Sequence, residues 1–237
     1  MARSQRRISA GAPRGTLARP LDALVFLLPM IVFYEWASLT RQDRVIAFDL
    51  LQRFFELFGH VGMWAPGLAV IVILLATHVA SGERWSVHWS RVGWMYVESV
   101  VLSLPLLLLN WTAPLAAIGV RFPPAVDQMA LGIGAGIYEE LVFRLVLISG
   151  VLMIGVDLAR RERRSVAVVA VVLSALAFAA HHHAPFGTEP FSAFRFVFRA
   201  VAGVYLAAIF WYRGYASAAG CHAAYNVALV GLGSVVS

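Results

Sequence analysis

The segment Tyr138-Glu139-Glu140-Leu141-Val142-Phe143-Arg144 places two adjacent carboxylates and a guanidinium inside a long apolar stretch of the chain. An ionisable side chain at the centre of a bilayer costs at least about 2.5 kcal/mol, so such residues within a membrane helix mark a functional site. The surrounding stretch, residues 127–157, is long enough to cross a membrane. The segment therefore predicts a membrane helix that carries chemistry.

The composition extends this prediction to the whole chain. Of its 237 residues, 60% are hydrophobic and 14% are charged, with a mean hydropathy of +0.76, whereas soluble domains are about half apolar and a quarter charged. We predict an all-α polytopic membrane bundle of about seven to eight transmembrane helices. The apolar blocks are residues 21–39, 62–80, 94–118, 127–157, 166–182, 194–212 and 215–236, and the amphipathic stretch 44–58 is either an interfacial helix or a connector.

The basic residues are all arginines, and their placement indicates the topology. Arginine-rich loops stay in the cytoplasm, so the N-terminus is predicted to be cytoplasmic. We expect residues 1–20 to form a basic cytoplasmic arm and residues 21–237 a single transmembrane domain. Short juxtamembrane loops present no folded surface to nucleic acid, so we expect the lipid bilayer to be the partner of this charge. The loop arginines are Arg3, Arg6, Arg7, Arg14, Arg19, Arg84, Arg91, Arg160, Arg161, Arg163, Arg164 and Arg213.

Helical spacing separates the two carboxylates. Glu140 and Arg144 lie at i and i+4 on one helical face and can pair, while Glu139 is rotated by about 100° and points elsewhere. The pairing leaves Glu139 free to act as a proton acceptor. The alternative is a buried ion-pair network of all three residues.

Three successive histidines follow at the end of the fifth apolar block. His182 is the predicted site residue, because Phe178 lies one helical turn before it on the same face and excludes water there. His181 and His183 point to other sides of a helix. For these two we expect a solvated helix end or a weak metal-binding tract.

The last apolar block carries His222 and Asn226, which share one helical face among small residues. Two neutral hydrogen-bond donors can stabilise a developing oxyanion. The alternative is an interhelical hydrogen-bond pair that only holds the bundle together. The remaining polar residues of the spans are isolated and serve either as packing partners or as the lining of a water path: Glu35, His78, Glu98 and Asn110.

The sequence also excludes several mechanisms. The absence of lysine rules out a Ser/Lys dyad and Schiff-base chemistry, and there is no His-Glu-x-x-His metal motif or Gly-x-Ser-x-Gly elbow. A site of glutamate, histidines and asparagine has no protein nucleophile. The simplest reaction left is attack of an activated water on a carbonyl.

Three motifs in order on successive apolar blocks resemble the CPBP family of intramembrane proteases. That family includes the type II CAAX prenyl endopeptidases and bacteriocin-processing-like proteins, and the resemblance covers roughly residues 94–236. It implies an intramembrane endopeptidase in the bacterial plasma membrane that cuts a membrane-anchored or exported protein or peptide. The motifs are Glu-Glu-x-x-x-Arg (Glu139, Glu140, Arg144), Phe-x-x-x-His (Phe178, His182) and His-x-x-x-Asn (His222, Asn226).

The resemblance implies that Glu139 is the general base, with His182 also on the water. His222 and Asn226 would stabilise the oxyanion, and Glu140, Arg144 and Phe178 would support the site. We expect a site without a metal cofactor, although Glu139, His182 and His222 could bind a catalytic zinc ion.

The predicted topology places the site residues at different depths in the membrane. The predicted topology puts Glu139 and His182 toward the extracytoplasmic side, whereas His222 follows Arg213 by only about 13 Å of helix and is expected nearer the cytoplasm.

The sequence also leaves two other functions open. One is a non-catalytic membrane binding or bacteriocin-immunity protein. The other is a proton-coupled transporter, in which Glu35, Glu98, Glu139 and the histidines form a relay.

Overall fold

The computed structural model describes residues 19–39, 64–112, 125–187 and 189–236, and these form seven helices. The all-α bundle predicted from the sequence is therefore confirmed. The amphipathic stretch 44–58 and all but the last two residues of the predicted arm lie outside the described residues. In chain order the helices are α1 (Pro20–Leu39), α2 (Ala65–Ser81), α3 (Trp89–Thr112), α4 (Ala125–Leu158), α5 (Arg163–His181), α6 (Ala193–Arg213) and α7 (Tyr215–Val236).

Five of these helices, α1, α3, α4, α5 and α6, are long and apolar enough to cross a membrane, and α2 is a shorter apolar helix. Their exposed faces are apolar as well. On α3, Val97, Val100, Val101, Leu104 and Leu108 are exposed and recur at helical spacing, which is the pattern of a lipid-facing stripe. The protein is therefore an integral membrane protein that crosses the bilayer several times.

Local sequence signals set where the helices begin and end. The carboxylate of Glu162 accepts hydrogen bonds from the backbone N–H groups of Arg164 and Ser165 and so caps the start of α5. Gly214 separates α6 from α7 with φ of 92°, a conformation that glycine adopts without steric cost. The second half of the bundle is thus built from an antiparallel helix pair with a very short turn.

Helix α4 changes its winding at the charged segment. It is α-helical from Ala125 to Glu140, a π-helix over Leu141–Ile148, α-helical over Ser149–Leu152, and a π-helix again over Met153–Leu158. π-helical insertions occur frequently at functional sites, because they rotate side chains out of α-helical register. The first one begins directly after the two glutamates.

Small residues bring α4 and α7 into close contact. A Cβ atom at Gly136 would lie 2.5 Å from the backbone nitrogen of Ala223, and one at Gly132 would lie 2.8 Å from Cβ of Asn226. The spacing of these two glycines is the small-xxx-small pattern that lets membrane helices approach closely. This contact holds the Glu139–Glu140 segment against the His222–Asn226 segment.

The turn between α6 and α7 lies partway along α3 rather than at its end. Arg213 pairs with Glu98 through its Nε atom at 2.5 Å, and Glu98 follows the start of α3 by nine residues, or about 13 Å of helix. Helix α7 therefore starts deeper in the bundle than the ends of α3. This recessed turn brings His222 to the depth of the glutamates, which the sequence alone could not explain.

Candidate active site

The paired carboxylate and guanidinium form the buried base of the site. Glu140 Oε1 lies 3.0 Å from Arg144 Nη1, and both side chains are fully buried. Arg144 also donates a hydrogen bond from Nη2 to the carbonyl oxygen of Gly203 at 3.3 Å, and its guanidinium carbon lies 4.4 Å from the centre of the Phe178 ring. These contacts compensate a charge that would be costly alone.

His222 connects the two glutamates. Its Nδ1 atom lies 2.9 Å from Glu140 Oε1, and its Nε2 atom lies 3.9 Å from Glu139 Oε2. Simple helical spacing predicted that Glu139 points away from its neighbour, yet both carboxylates meet the same imidazole from α7. Because a carboxylate accepts hydrogen bonds, Nδ1 of His222 carries the proton, and its Nε2 faces Glu139.

The end of α5 delivers two further imidazoles to Glu139. The Nε2 atoms of His181 and His182 lie 3.8 and 3.9 Å from Glu139 Oε1. His181 is therefore not a solvated helix end, and the other expectation for it, a weak metal-binding tract, stays a prediction. The helix ends at this residue, and both rings turn back toward the carbonyl oxygen of Phe178, with Nδ1 atoms at 3.3 and 2.8 Å respectively.

The shared carbonyl sets the tautomer of both histidines. A carbonyl oxygen can only accept a hydrogen bond, so each Nδ1 carries a proton and each neutral Nε2 carries a lone pair. Burial lowers the pKa of His182, and the nearby positive charge of Arg199 lowers it further. His182 is therefore neutral, with its Nε2 lone pair directed at Glu139.

His183 does not join this group. It is buried, with 2% of its surface exposed, and its ring lies against the rings of Phe191 and Phe196. The expectation of a solvated residue is therefore wrong here too. Its imidazole packs as an aromatic ring against these two phenylalanines.

Glu139 thus faces three imidazole nitrogens from two helices. The three separations of 3.8, 3.9 and 3.9 Å exceed a hydrogen bond and leave room for a bridging atom. Glu139 Oε2 is buried and accepts no hydrogen bond from the described residues. A buried carboxylate oxygen without a donor requires a partner, and a water molecule between Glu139 Oε2 and Nε2 of His222 would satisfy it.

The same atoms fit a metal ion. Ligand atoms of Glu139, His181 and His182 all lie within 4.8 Å of one another, and a carboxylate with imidazoles is a set that zinc prefers. The sequence suggested Glu139, His182 and His222 for this role. The structure adds His181 to this set. Nε2 of His222 lies 3.9 Å from Oε2 of Glu139, the carboxylate oxygen that His181 and His182 do not face.

Phe178 fills the centre of the site. Its ring lies 5.1 Å from the ring of His182 and 5.8 Å from that of His222, measured between ring centres, and both contacts are edge-on. It also carries the guanidinium of Arg144 on its face. The aromatic ring that the sequence placed one turn before His182 therefore packs against the guanidinium of Arg144 and the imidazoles of His182 and His222.

Asn226 lies one turn beyond His222 and contacts α4. Its Nδ2 donates a hydrogen bond to the carbonyl oxygen of Gly132 at 3.0 Å. This is the interhelical bond that the sequence analysis kept as an alternative to an oxyanion role. An amide has two N–H groups, and this bond uses one of them.

The scattered polar residues have partners or lie apart from the site. Tyr138 donates a hydrogen bond to Glu35 at 3.1 Å, and Glu98 pairs with Arg213. His78 is buried against the ring of Trp85, 4.4 Å away between ring centres. The side chain of Asn110 is half-buried near the end of α3. None of the four residues named from the sequence reaches Glu139.

These features define a polytopic membrane protein with a buried glutamate–histidine centre. Residues 121–228 match the family model described as type II CAAX prenyl endopeptidase, Rce1-like. The match contains all seven motif residues, and it confirms the resemblance to the CPBP family over this region. No curated protein and no solved structure gives a significant match to the chain.

Proposed function

We propose that the protein is an intramembrane endopeptidase that hydrolyses a peptide bond with a water molecule activated by Glu139 and histidine. One observation carries the proposal: three imidazole Nε2 atoms surround the two oxygens of a buried glutamate at 3.8–3.9 Å. The match of residues 121–228 to a protease family supports it.

In the proposed reaction the water lies between Glu139 and the Nε2 atoms of His181 and His182. Its oxygen attacks the scissile carbonyl carbon while Glu139 takes one proton, and the carbonyl oxygen becomes an oxyanion. When the C–N bond breaks, Glu139 returns this proton to the leaving amine. The products are a carboxylic acid and an amine, and Glu139 is again a carboxylate.

Two neighbouring groups support the oxyanion in this scheme. Asn226 contributes the amide N–H that Gly132 does not use. His222 donates Nδ1–H to Glu140, so a neutral ring has only an acceptor at Nε2. In this scheme His222 supports the oxyanion only if its ring already carries a proton on both nitrogens when the water attacks. Glu140 and Arg144 fix the orientation of His222 through this bond, as carboxylate–histidine pairs do in hydrolytic sites.

A zinc-dependent form of this reaction is a second candidate, because the donor atoms of Glu139, His181 and His182 converge. A zinc ion there would polarise the water and lower its pKa. Under the metal-free proposal the protein needs no cofactor, and removal of metal ions leaves the rate unchanged.

The arrangement gives little support to a transporter. A proton relay requires a chain of titratable groups, but Glu35 accepts a hydrogen bond from Tyr138 and Glu98 pairs with Arg213, whereas the imidazoles surround Glu139. A non-catalytic binding or immunity protein with the same polar core is the alternative that the assay below tests.

We propose that the N-terminus lies in the cytoplasm and that the protein resides in the bacterial plasma membrane. Arg84 and Arg91, the loop arginines Arg160–Arg164, and Arg213 then lie on the cytoplasmic side. His181 and His182 end α5 on the opposite side. The proposed substrate is a membrane-anchored or exported protein or peptide whose scissile bond lies in the outer half of the bilayer.

The decisive experiment compares cleavage of candidate membrane-anchored substrates by the wild-type protein and by Glu139→Ala in liposomes. Glu83→Gln is the matched control, because Glu83 is an exposed carboxylate in the loop between α2 and α3. We expect cleavage by the wild type and the control, and none by Glu139→Ala. Equal cleavage by all three would exclude Glu139 as the base, and no cleavage by any would favour the binding protein.

A further inference from the structure

The segment that follows α5 is attached to α6 by a cluster of charges that lies outside the proposed centre. Arg199 binds the carboxylate of Glu189 with two hydrogen bonds, at 2.7 and 3.0 Å, and Arg195 binds it with a third at 3.2 Å. A two-pronged contact between arginine and carboxylate is geometrically specific. Neither the family motifs nor the proposed reaction uses these three residues.

The backbone of Glu189 contacts the histidine segment directly. Its N–H donates a hydrogen bond to the carbonyl oxygen of His182 at 3.2 Å, and its carbonyl oxygen accepts one from the N–H of Ala184 at 2.8 Å. Gly187 packs on the same segment so closely that a Cβ atom there would lie 2.3 Å from the carbonyl oxygen of His181. Residues 182–187 and Glu189 thus form a strap, which the backbone hydrogen bonds of Glu189 close.

The strap lies where the helical geometry of α5 ends. His182 follows the last residue of α5. Intrahelical hydrogen bonds therefore no longer fix the backbone that comes after it. Its ring must nevertheless bond to Phe178 and direct Nε2 at Glu139. The contacts with Glu189 replace the missing helical turn.

We propose that Glu189 is a positioning residue, which holds His181 and His182 in line with Glu139 by fixing the strap to Arg199 and Arg195. The inference rests on the proposed hydrolytic function of this centre. Glu189 acts through the backbone of His182 and does not contact the reacting atoms. Loss of Glu189 should therefore lower kcat and leave KM nearly unchanged. It changes the alignment of the two imidazoles with Glu139 and does not change contacts with the substrate.

The test compares Glu189→Gln, Arg199→Gln and the charge exchange Glu189→Arg with Arg199→Glu, with Glu83→Gln as the control. We expect a fall in kcat of about 10- to 100-fold for either single variant, the usual effect of losing a partner that orients a site residue. We expect partial recovery in the exchange. A raised KM with unchanged kcat would instead assign the cluster to substrate binding and overturn the proposal.

A second measurement separates this inference from the proposed function. In protein labelled with ¹⁵N-histidine, the wild-type spectrum should show His181 and His182 with the proton on Nδ1, because both bond to Phe178. Glu189→Gln should shift His182 toward a mixture of tautomers at a temperature where the variant is still fully folded. If the histidine spectrum of Glu189→Gln equals that of the wild type, positioning by Glu189 is refuted, whether or not the wild type cleaves a substrate. If the spectrum changes but the wild type cleaves no substrate, only the proposed hydrolytic function is refuted.

Discussion

Nδ1 of His222 lies 2.9 Å from Oε1 of Glu140, and this contact joins residues that are 82 positions apart in the sequence. The same carboxylate oxygen lies 3.0 Å from Nη1 of Arg144. One buried carboxylate therefore serves both an arginine on its own helix and a histidine on α7. The two glutamates therefore differ in environment: Oε1 of Glu140 lies between an arginine and a histidine, whereas the oxygens of Glu139 face the Nε2 atoms of three histidines.

The first prediction concerns Glu139. Glu139→Gln should abolish cleavage, because the amide keeps the volume of the side chain but cannot accept the proton of the water. Folding and membrane insertion should be unaffected, since Glu139 Oε2 accepts no hydrogen bond from the described residues. Cleavage rate and melting temperature are measured on one preparation, with Glu83→Gln as the control. Substantial cleavage by the variant would remove Glu139 from the role of base.

The second prediction concerns the buried ion pair. Arg144→Ala should destabilise the protein by about 3–5 kcal/mol, because it leaves the carboxylate of Glu140 as an unpaired charge. It also removes the cation from the face of Phe178 and the donor to Gly203. The melting temperature in detergent tests this, with Arg164→Ala as a control at an exposed arginine. Wild-type stability of Arg144→Ala would contradict the buried pair.

Much of this site was predictable because its signals are local. Charges at i and i+4 inside an apolar block indicated the Glu140–Arg144 pair, and the spacing of Phe178 and His182 indicated a ring next to the imidazole. The arrangement of His181 could not be predicted this way. Helical spacing directs it to another face, but α5 ends at this residue and its ring bends back to the carbonyl oxygen of Phe178.

Neither the depth of His222 in the bundle nor the π-helical winding of α4 could be predicted from the sequence. Counting residues from Arg213 placed His222 too near the cytoplasm, because the count assumed that the α6–α7 turn reaches the membrane surface. The pair between Arg213 and Glu98 instead holds the turn partway along α3. The π-helix that starts at Leu141 leaves no periodic signature in a wholly apolar stretch. The glycines Gly132 and Gly136 at helical spacing were a signal that could have indicated the α4–α7 contact.

The third prediction concerns metal ions. If Glu139 and the imidazoles activate water without a metal, chelator should not change the rate, and added zinc should not raise it. His181→Gln and His182→Gln should each lower kcat, since both Nε2 atoms face Glu139. A chelator-sensitive rate that zinc restores, with metal lost from both variants, would make Glu139, His181 and His182 zinc ligands.

The fourth prediction concerns pH and the strap. Burial alone would raise the pKa of Glu189, but the hydrogen bonds and charges of Arg199 and Arg195 outweigh it, so the pKa lies below its ordinary value of 4.5. A carboxylate with a lowered pKa in the folded protein stabilises it at pH above 4.5, and this stabilisation is lost as the pH falls through the lowered value.

The melting temperature of the wild type should therefore exceed that of Glu189→Gln at pH 6–7, and the difference should shrink below about pH 4.5 as Glu189 becomes protonated. Thermal unfolding of both proteins across this pH range measures it. A difference that stays constant down to pH 3 would show that the charge of Glu189 does not contribute. Glu83→Gln, at an exposed site, should show no comparable difference.

The last prediction concerns Asn226, where a structural bond and a catalytic role coexist in one side chain. Asn226→Ala removes the hydrogen bond to Gly132 and should cost roughly 0.6–2 kcal/mol of stability, the usual worth of such a bond between membrane helices. If the second N–H also stabilises the oxyanion, kcat should fall by about 10²–10³-fold with little change in KM, because this bond strengthens only in the transition state.

Gly132→Ala provides the matched structural control for Asn226. A methyl group there would press on Cβ of Asn226 at 2.8 Å, so it should disturb the α4–α7 contact without removing the amide. If it lowers stability as much as Asn226→Ala and both keep the wild-type rate per folded molecule, Asn226 only joins two helices. If Asn226→Ala lowers the rate per folded molecule and Gly132→Ala does not, the amide acts on the reacting carbonyl. Both variants disturb the α4–α7 contact, but only Asn226→Ala removes the amide.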